Sequence, residues 1–220
     1  TRRGYTFGGW YTDGSNFAEN TKFKTGDKMP EGDVTYYAKW TAIPYKITYE
    51  LDGGTNVSGN PAQYTVETGK ITLVDPTKTG YAFEGWYSDA ERTNRVTEIA
   101  AVSTGDVTLY AKWTINQYTI TWETNGGNAL TGNYTTTADY GAAIVRPDDP
   151  TKEADAQYTY TFGGWYTDRA LTQPLADNAT VPAENLTVYA KWNTTAQTYT
   201  VKWYGVNNPW WGSAAKKEPY

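Results

Sequence analysis

Three aspartates recur in one repeated phrase, and their chemistry is the first question. Asp13, Asp89 and Asp168 each end a run reading G-W-Y-[TS]-D, and turn formers follow, as in Asp13-Gly14-Ser15-Asn16. A carboxylate so placed can cap the turn, or join carbonyl oxygens around a calcium ion. No EF-hand-like spacing of acids is present, so turn capping is the preferred reading and calcium the alternative. Three lysines recur in the phrase Y-A-K-W: Lys39, Lys112 and Lys191. A lysine forms an isopeptide cross-link only when it is buried beside a carboxyl group with its pKa lowered. Alternation along the phrase points these lysines to solvent instead. With 0 His and 0 Cys in the chain, Ser-His-Asp and Cys-His nucleophiles are excluded, as are most zinc sites. No residue is assigned to catalysis, to a cofactor or to a metal.

Aromatic side chains remain. Tyr37, Tyr110 and Tyr189 precede the Ala-Lys-Trp of each phrase and face outward by alternation. Such a row can stack sugars, or can serve as cross-strand pairs that stabilise a sheet. Trp210 and Trp211 form the densest aromatic patch and have no counterpart earlier in the chain. They suit an interaction site, or a cap over the last repeat. Contact with a ligand or partner is assigned to Trp210, Trp211, Tyr37, Tyr110 and Tyr189.

The elements that position these residues repeat as well. Y-A-K-W ends at Trp40, Trp113 and Trp192, a period of roughly 75 residues that exceeds solenoid repeats and suits small domains. Each copy follows a G-W-Y phrase (Gly4–Asp13, Gly80–Asp89, Tyr160–Asp168) and precedes an opening phrase (Tyr45–Gly54, Tyr118–Gly127, Tyr199–Gly205). Opening phrases alternate strictly, with Tyr45, Ile47, Tyr49 and Leu51 on one face, and read as half-buried strands ended by a Gly-Gly turn. Alternation in Y-A-K-W puts Trp40, Trp113 and Trp192 in the core, with Ile47 and Ile120.

The G-W-Y strand fits alternation less well, because Glu84 shares a face with Trp86. Either Trp86 is exposed, or Gly9, Gly85 and Gly164 mark a bulge that turns Trp10, Trp86 and Trp165 inward. The bulge is preferred. A further strand is expected at Gln63–Thr68 with its counterpart at Thr135–Tyr140. Short helical turns are expected at Thr97–Val102 and Leu171–Ala179, and little other helix. The third copy carries an insertion between Lys152 and Tyr160, which belongs in a surface loop.

These boundaries define the C-terminal part of a repeat at 1–40 and complete repeats at 45–113 and 118–192. Residues 199–220 hold the opening strand of a further repeat and an aromatic tail. Linkers at Thr41–Pro44, Thr114–Gln117 and Asn193–Thr198 are short enough to hold neighbours close. A start at Thr1 with no initiator Met marks the chain as a segment of a longer protein.

Small domains usually need disulfides or metals as staples. Here 10 Trp and 20 Tyr take that part, since each large ring buries about 150–250 Å². A net charge of −5 without a basic stripe argues against nucleic acid. No apolar run approaches the roughly 20 residues of a membrane helix, so membrane insertion is not expected.

With these phrases in view, the chain resembles the Listeria–Bacteroides repeat family of bacterial surface proteins, over almost all of 1–205. The resemblance rests on G-Y-x-F-x-G-W-Y and Y-A-K-W at near-constant spacing. It implies a mainly β (α+β) fold of tandem, β-grasp-like domains arranged as beads on a string. It also implies an extracellular, cell-surface or secreted setting and no catalytic residues. The expected function is that of a non-catalytic adhesin stalk or spacer; the alternative is a carbohydrate- or protein-binding module using exposed aromatics. Expected partners are a host or cell-surface protein or glycan. The opening strand at 199–205 further suggests head-to-tail self-association by strand addition to the incomplete repeat at 1–40.

Overall fold

A computed structural model describes residues 1–130 and 134–202. The described residues are almost all strand and turn, with one 3-10 helix at Glu19–Thr21. The first repeat contributes β1 (Tyr5–Tyr11) and β2 (Tyr37–Ala42). The second contributes β3 (Tyr45–Glu50), β4 (Gln63–Tyr64), β5 (Ile71–Thr72), β6 (Tyr81–Tyr87), β7 (Arg95–Val96), β8 (Glu98–Ile99) and β9 (Val107–Ile115). The third contributes β10 (Gln117–Glu123), β11 (Thr135–Asp139), β12 (Tyr158–Tyr166) and β13 (Leu186–Ala196). Packing divides the chain into two units. One holds Thr1–Thr121, Thr135–Val145 and Asp177–Leu186, and the other holds Trp122–Tyr134, Arg146–Ala176 and the chain from Thr187 on.

In the first unit the second repeat forms a sheet in the order β4-β3-β9-β6-β7. Strand β3 runs parallel to β9, while β4 and β6 flank them antiparallel. The alternating face of β3 buries Ile47 over Tyr64, Leu73, Trp86, Ile99, Leu109 and Ala111. The first repeat contributes the pair β1–β2, and Gln117–Thr121 of β10 pairs antiparallel with β11. In the second unit β12 and β13 pair antiparallel. Trp122, Leu130, Trp165, Leu175, Val188 and Ala190 are buried there.

The bulge is present in each copy of the G-W-Y strand. Phe83 faces Trp113 and Gly85 faces Lys112, so Glu84 is the extra residue. The register shifts at the same place in β1 and β12. One inserted residue turns the following side chain to the other face. Trp86 is therefore only 2 % exposed, while Trp10, in the repeat without an opening strand, is 49 % exposed.

The tryptophans of Y-A-K-W are placed differently from expectation. Trp40, Trp113 and Trp192 are half-buried, and the enclosed positions of the phrase are Leu109, Ala111, Val188 and Ala190. The cause is the turn after the opening strand. The Trp113 indole N–H donates to the Leu51 carbonyl at 2.9 Å, and that of Trp192 to the Thr124 carbonyl at 2.9 Å. A Cβ on Gly54 would lie 2.5 Å from the Trp113 ring, and one on Gly127 2.4 Å from Trp192. Each ring is thus a clasp between the closing strand and the Gly-Gly turn, with one edge in solvent.

Three further expectations are corrected. No helical turn forms at Thr97–Val102 or Leu171–Ala179: Glu98–Ile99 is a strand paired with β5. Val102 and Leu171 both take left-handed backbone (φ 58 and 58), which stops a right-handed helix. The strand expected at Gln63–Thr68 is only Gln63–Tyr64, because Thr65 and Thr68 close a turn (Thr68 N–H to Thr65 carbonyl, 3.0 Å). The linkers are largely strand: Asn116 alone separates β9 from β10, and β13 continues to Ala196.

Candidate functional site

The outward tyrosines sit on a ladder built alike in every repeat. Tyr37 lies opposite Tyr11, Tyr110 opposite Tyr87, and Tyr189 opposite Tyr166. Tyr37 is exposed, while Tyr110 and Tyr189 are half-buried. The lysine of each phrase lies against the tyrosine of the neighbouring strand: Lys39 to Tyr11 at 5.5 Å, Lys112 to Tyr87 at 5.6 Å and Lys191 to Tyr166 at 4.9 Å from the ring centroid. Rings and ammonium groups therefore engage each other within one sheet. Trp210 and Trp211, and with them Trp203–Gly205, lie outside the described residues. Tyr199 and Val201 are exposed and not in a strand.

Lys112 also pairs with Glu84 at 3.0 Å. The Glu84 hydrogen bond and charge hold the Lys112 pKa above its ordinary value. Hydrogen bonds from Thr114 and Lys112 hold Glu84 below the usual carboxylate range. A raised lysine stays protonated, the opposite of what isopeptide chemistry requires.

The recurrent aspartates cap turns. Asp13 accepts the Ser15 amide at 2.8 Å and the Ser15 hydroxyl at 2.7 Å. Asp89 accepts the amides of Thr93 (2.8 Å) and Asn94 (2.6 Å) and the Thr93 hydroxyl (3.0 Å). Asp168 does the same for Thr172 (2.9 Å), Gln173 (2.7 Å) and the Thr172 hydroxyl (2.9 Å). These donors hold all three carboxyls below their ordinary pKa: the Ser15 hydroxyl first at Asp13, the Thr93 amide at Asp89 and the Gln173 amide at Asp168. Among the described residues no group of three or more acids could hold a metal ion.

A second set of cations, not singled out by the sequence analysis, covers the tyrosines that open the G-W-Y strands. Lys78 donates to the Asp52 carbonyl at 2.6 Å and covers the Tyr81 ring at 4.1 Å. Lys152 covers Tyr160 at 4.3 Å, and Arg2 covers Tyr5 at 3.9 Å. The signal was available in part: Arg2 and Lys78 stand three residues before Tyr5 and Tyr81, while the insertion moves Lys152 eight residues ahead of Tyr160.

One concave apolar feature stands out. Thr1, Arg2, Tyr5, Phe7, Trp10 and Trp40 line an open hollow of about 430 Å³. Phe7 packs edge-on to Trp10 (centroids 5.6 Å) and tilted against Trp40 (5.2 Å). In the second repeat Phe83 makes the same contacts with Trp86 and Trp113, and Tyr49 of β3 covers Trp86 at 5.3 Å. The hollow thus lies where β3 lies in the second repeat.

The sequence profile of the Listeria-Bacteroides repeat domain matches residues 1–39, 45–112 and 118–191. A protein of Evansella cellulosilytica, provisionally named a Gly-rich membrane protein, is 35 % identical over 191 residues, which are 86 % of this chain and 21 % of that protein. Internalin H of Listeria monocytogenes is 39 % identical over 118 residues, 53 % of this chain and 20 % of that protein. The chain thus spans about a fifth of the length of these relatives. No described helix is long and apolar enough to cross a membrane.

Proposed function

The chain belongs to the Listeria-Bacteroides repeat family, and from that premise we propose that it is a non-catalytic stalk or spacer segment of a bacterial cell-surface or secreted protein. One observation carries the reading. The recurrent side chains that could do chemistry engage their own repeat, as aspartates on turns, lysines on tyrosines and tryptophans on Gly-Gly turns. A segment that repeats its internal clasps while using up its reactive groups suits structural work. Resemblance to a membrane-protein name and to an internalin supports the surface setting. The β-grasp-like reading of each repeat is supported by the parallel β3–β9 pair with its antiparallel neighbours, although the short strand β5 and loops replace a crossover helix between β4 and β6.

Two measurements test this. Antibodies against the chain should label intact cells that produce it, and labelling only after permeabilisation would overturn the surface setting. A glycan array probed with the labelled chain should stay blank; saturable binding of one glycan would favour a lectin-like role.

A second reading, as a protein-binding module, is favoured by the hollow at Phe7, Trp10 and Trp40. The occupant that fits is an extended segment with the opening pattern of β3, laid parallel to β2. The peptide Tyr45–Asp52 is the probe, because its own repeat shows the mode of packing. Binding should blue-shift Trp10 emission, and an unchanged spectrum at millimolar peptide would remove this reading.

A further inference from the structure

The joint between consecutive repeats is constructed twice in the same way, and we propose that it is a glycine socket that selects and locks the following repeat. At the first joint Gly4 is buried with φ +78, and a Cβ there would stand 2.1 Å from Val66 Cγ1. At the second, Gly80 is buried with φ +76, and a Cβ would stand 2.1 Å from Tyr140 Cδ1. Val66 and Tyr140 are equivalent residues. Each lies two positions beyond the residue paired with the opening tyrosine, Tyr45 with Tyr64 and Tyr118 with Ala138. The carbonyl of each glycine accepts the junction amide of the chain: Ile43 N–H to Gly4 at 2.9 Å and Asn116 N–H to Gly80 at 2.9 Å.

Further contacts surround each socket. Arg3 donates to the Thr104 hydroxyl at 3.0 and 3.2 Å. At the second joint the Tyr140 amide donates to the Asn116 carbonyl at 2.9 Å, and the Tyr140 ring stands edge-on to Tyr81 at 6.1 Å. Only glycine combines a left-handed backbone with room for a neighbour's side chain on its Cα. The socket therefore takes one kind of partner: a hairpin end that presents an apolar or aromatic side chain two residues past the paired position.

The third repeat does not carry this socket. Thr159 stands where Gly4 and Gly80 stand, and β12 continues through it to Tyr158, paired with Ala196. Polar contacts occupy this end instead, with Gln197 N–H on the Gln157 carbonyl at 2.8 Å and the Gln197 side chain on the Asp155 carbonyl at 2.7 Å. The socket is thus a feature of the first and second repeats and not of the third.

Residue-resolved hydrogen exchange on the full chain tests the proposal. In the native chain the amides of Ile43, Asn116 and Tyr140 should be protected to the level of strand interiors such as Ile47. Tyr140→Ala should speed exchange of Asn116 by at least tenfold and leave Ile47 and Leu109 unchanged. Gly80→Ala should do the same from the other side of the joint. Gly69→Ala, at a glycine with no atom within 4 Å of its Cβ position, should change nothing at Asn116. Native junction amides that exchange like open loops, or an Asn116 amide untouched by Tyr140→Ala, would overturn the socket.

Discussion

Two tryptophans of the second repeat exchange the roles that alternation assigns to them. Trp86 is enclosed and its indole N–H donates to the Val74 carbonyl at 3.0 Å, while Trp113 keeps one edge in water. Truncating a buried tryptophan costs about 3–5 kcal/mol. Trp86→Ala should therefore destabilise the second repeat by about that amount, and Trp113→Ala by roughly 2–3 kcal/mol for its smaller buried area and one clasp bond. Denaturant unfolding of the two variants checks the order, and an equal or reversed order would contradict the burial. The opening strand was legible because its alternation is unbroken from Tyr45 to Leu51. Trp86 was legible through the bulge that Gly85 marks; Trp113 was not, because the parity count is blind to the ring's reach onto Gly54. The aspartates were legible because turn formers follow each of them. Their carboxyls are held below their unfolded pKa by turn donors. A depressed carboxylate stabilises the fold above the unfolded pKa of about 3.9, and that stability is lost as pH falls through the folded value. Asp89→Asn should therefore lower Tm at pH 7, with the gap to the native chain closing below about pH 4. A gap that stays constant to pH 2 would show that charge at this turn is irrelevant.

At the scale of the element, the bulge decides which face of the G-W-Y strand meets the core. Gly85 sits at φ +152 with Arg95 Nε 2.6 Å from its Cβ position, whereas Gly164 sits at φ +106 with nothing nearer than Tyr166 at 3.9 Å. Strained backbone of this kind costs on the order of 1–3 kcal/mol for a residue with a side chain. Gly164→Ala should show that backbone cost alone. Gly85→Ala should show it with a small addition, since the Arg95 side chain can swing away. Thermal melts of the two variants give the comparison, and no loss at Gly164 would mean that the bulge tolerates any residue. Legibility at this scale was uneven for a physical reason. Long amphipathic strands announce themselves by period, so β3, β9, β10 and β13 were legible as strands, although β9 and β13 run on into the expected linkers. Two-residue strands such as β5 and β8 carry no period, and they exist because Ile71 and Ile99 meet across the core. The third-repeat insertion was expected in a loop, and part of it instead lengthens β12 back to Tyr158.

At the scale of the whole chain, the first repeat, β1–β2, and the opening phrase at 199–205 are complementary in pattern. Trp10 of the first repeat stands half in water, whereas its counterpart Trp86 is covered by Tyr49. The phrase Tyr199-Thr200-Val201 has the same alternation as Tyr45-Lys46-Ile47, and Tyr199 and Val201 are each 68 % exposed. A strand added parallel to β2 would pair its backbone with an open edge and cover the Phe7–Trp10–Trp40 face. Because donor and acceptor are different surfaces, such a contact is heterologous and would build chains or rings rather than a two-fold dimer. The expected outcome is a mass that climbs with concentration in light scattering. Removal of residues 199–220, or Trp10→Arg in the acceptor, should return the protein to monomer. The acceptor variant matters because it leaves the tail in place and so separates strand addition from simple stickiness of Trp210 and Trp211. A protein that stays monomeric at millimolar concentration in all three forms would leave the exposed face to a strand of some other origin.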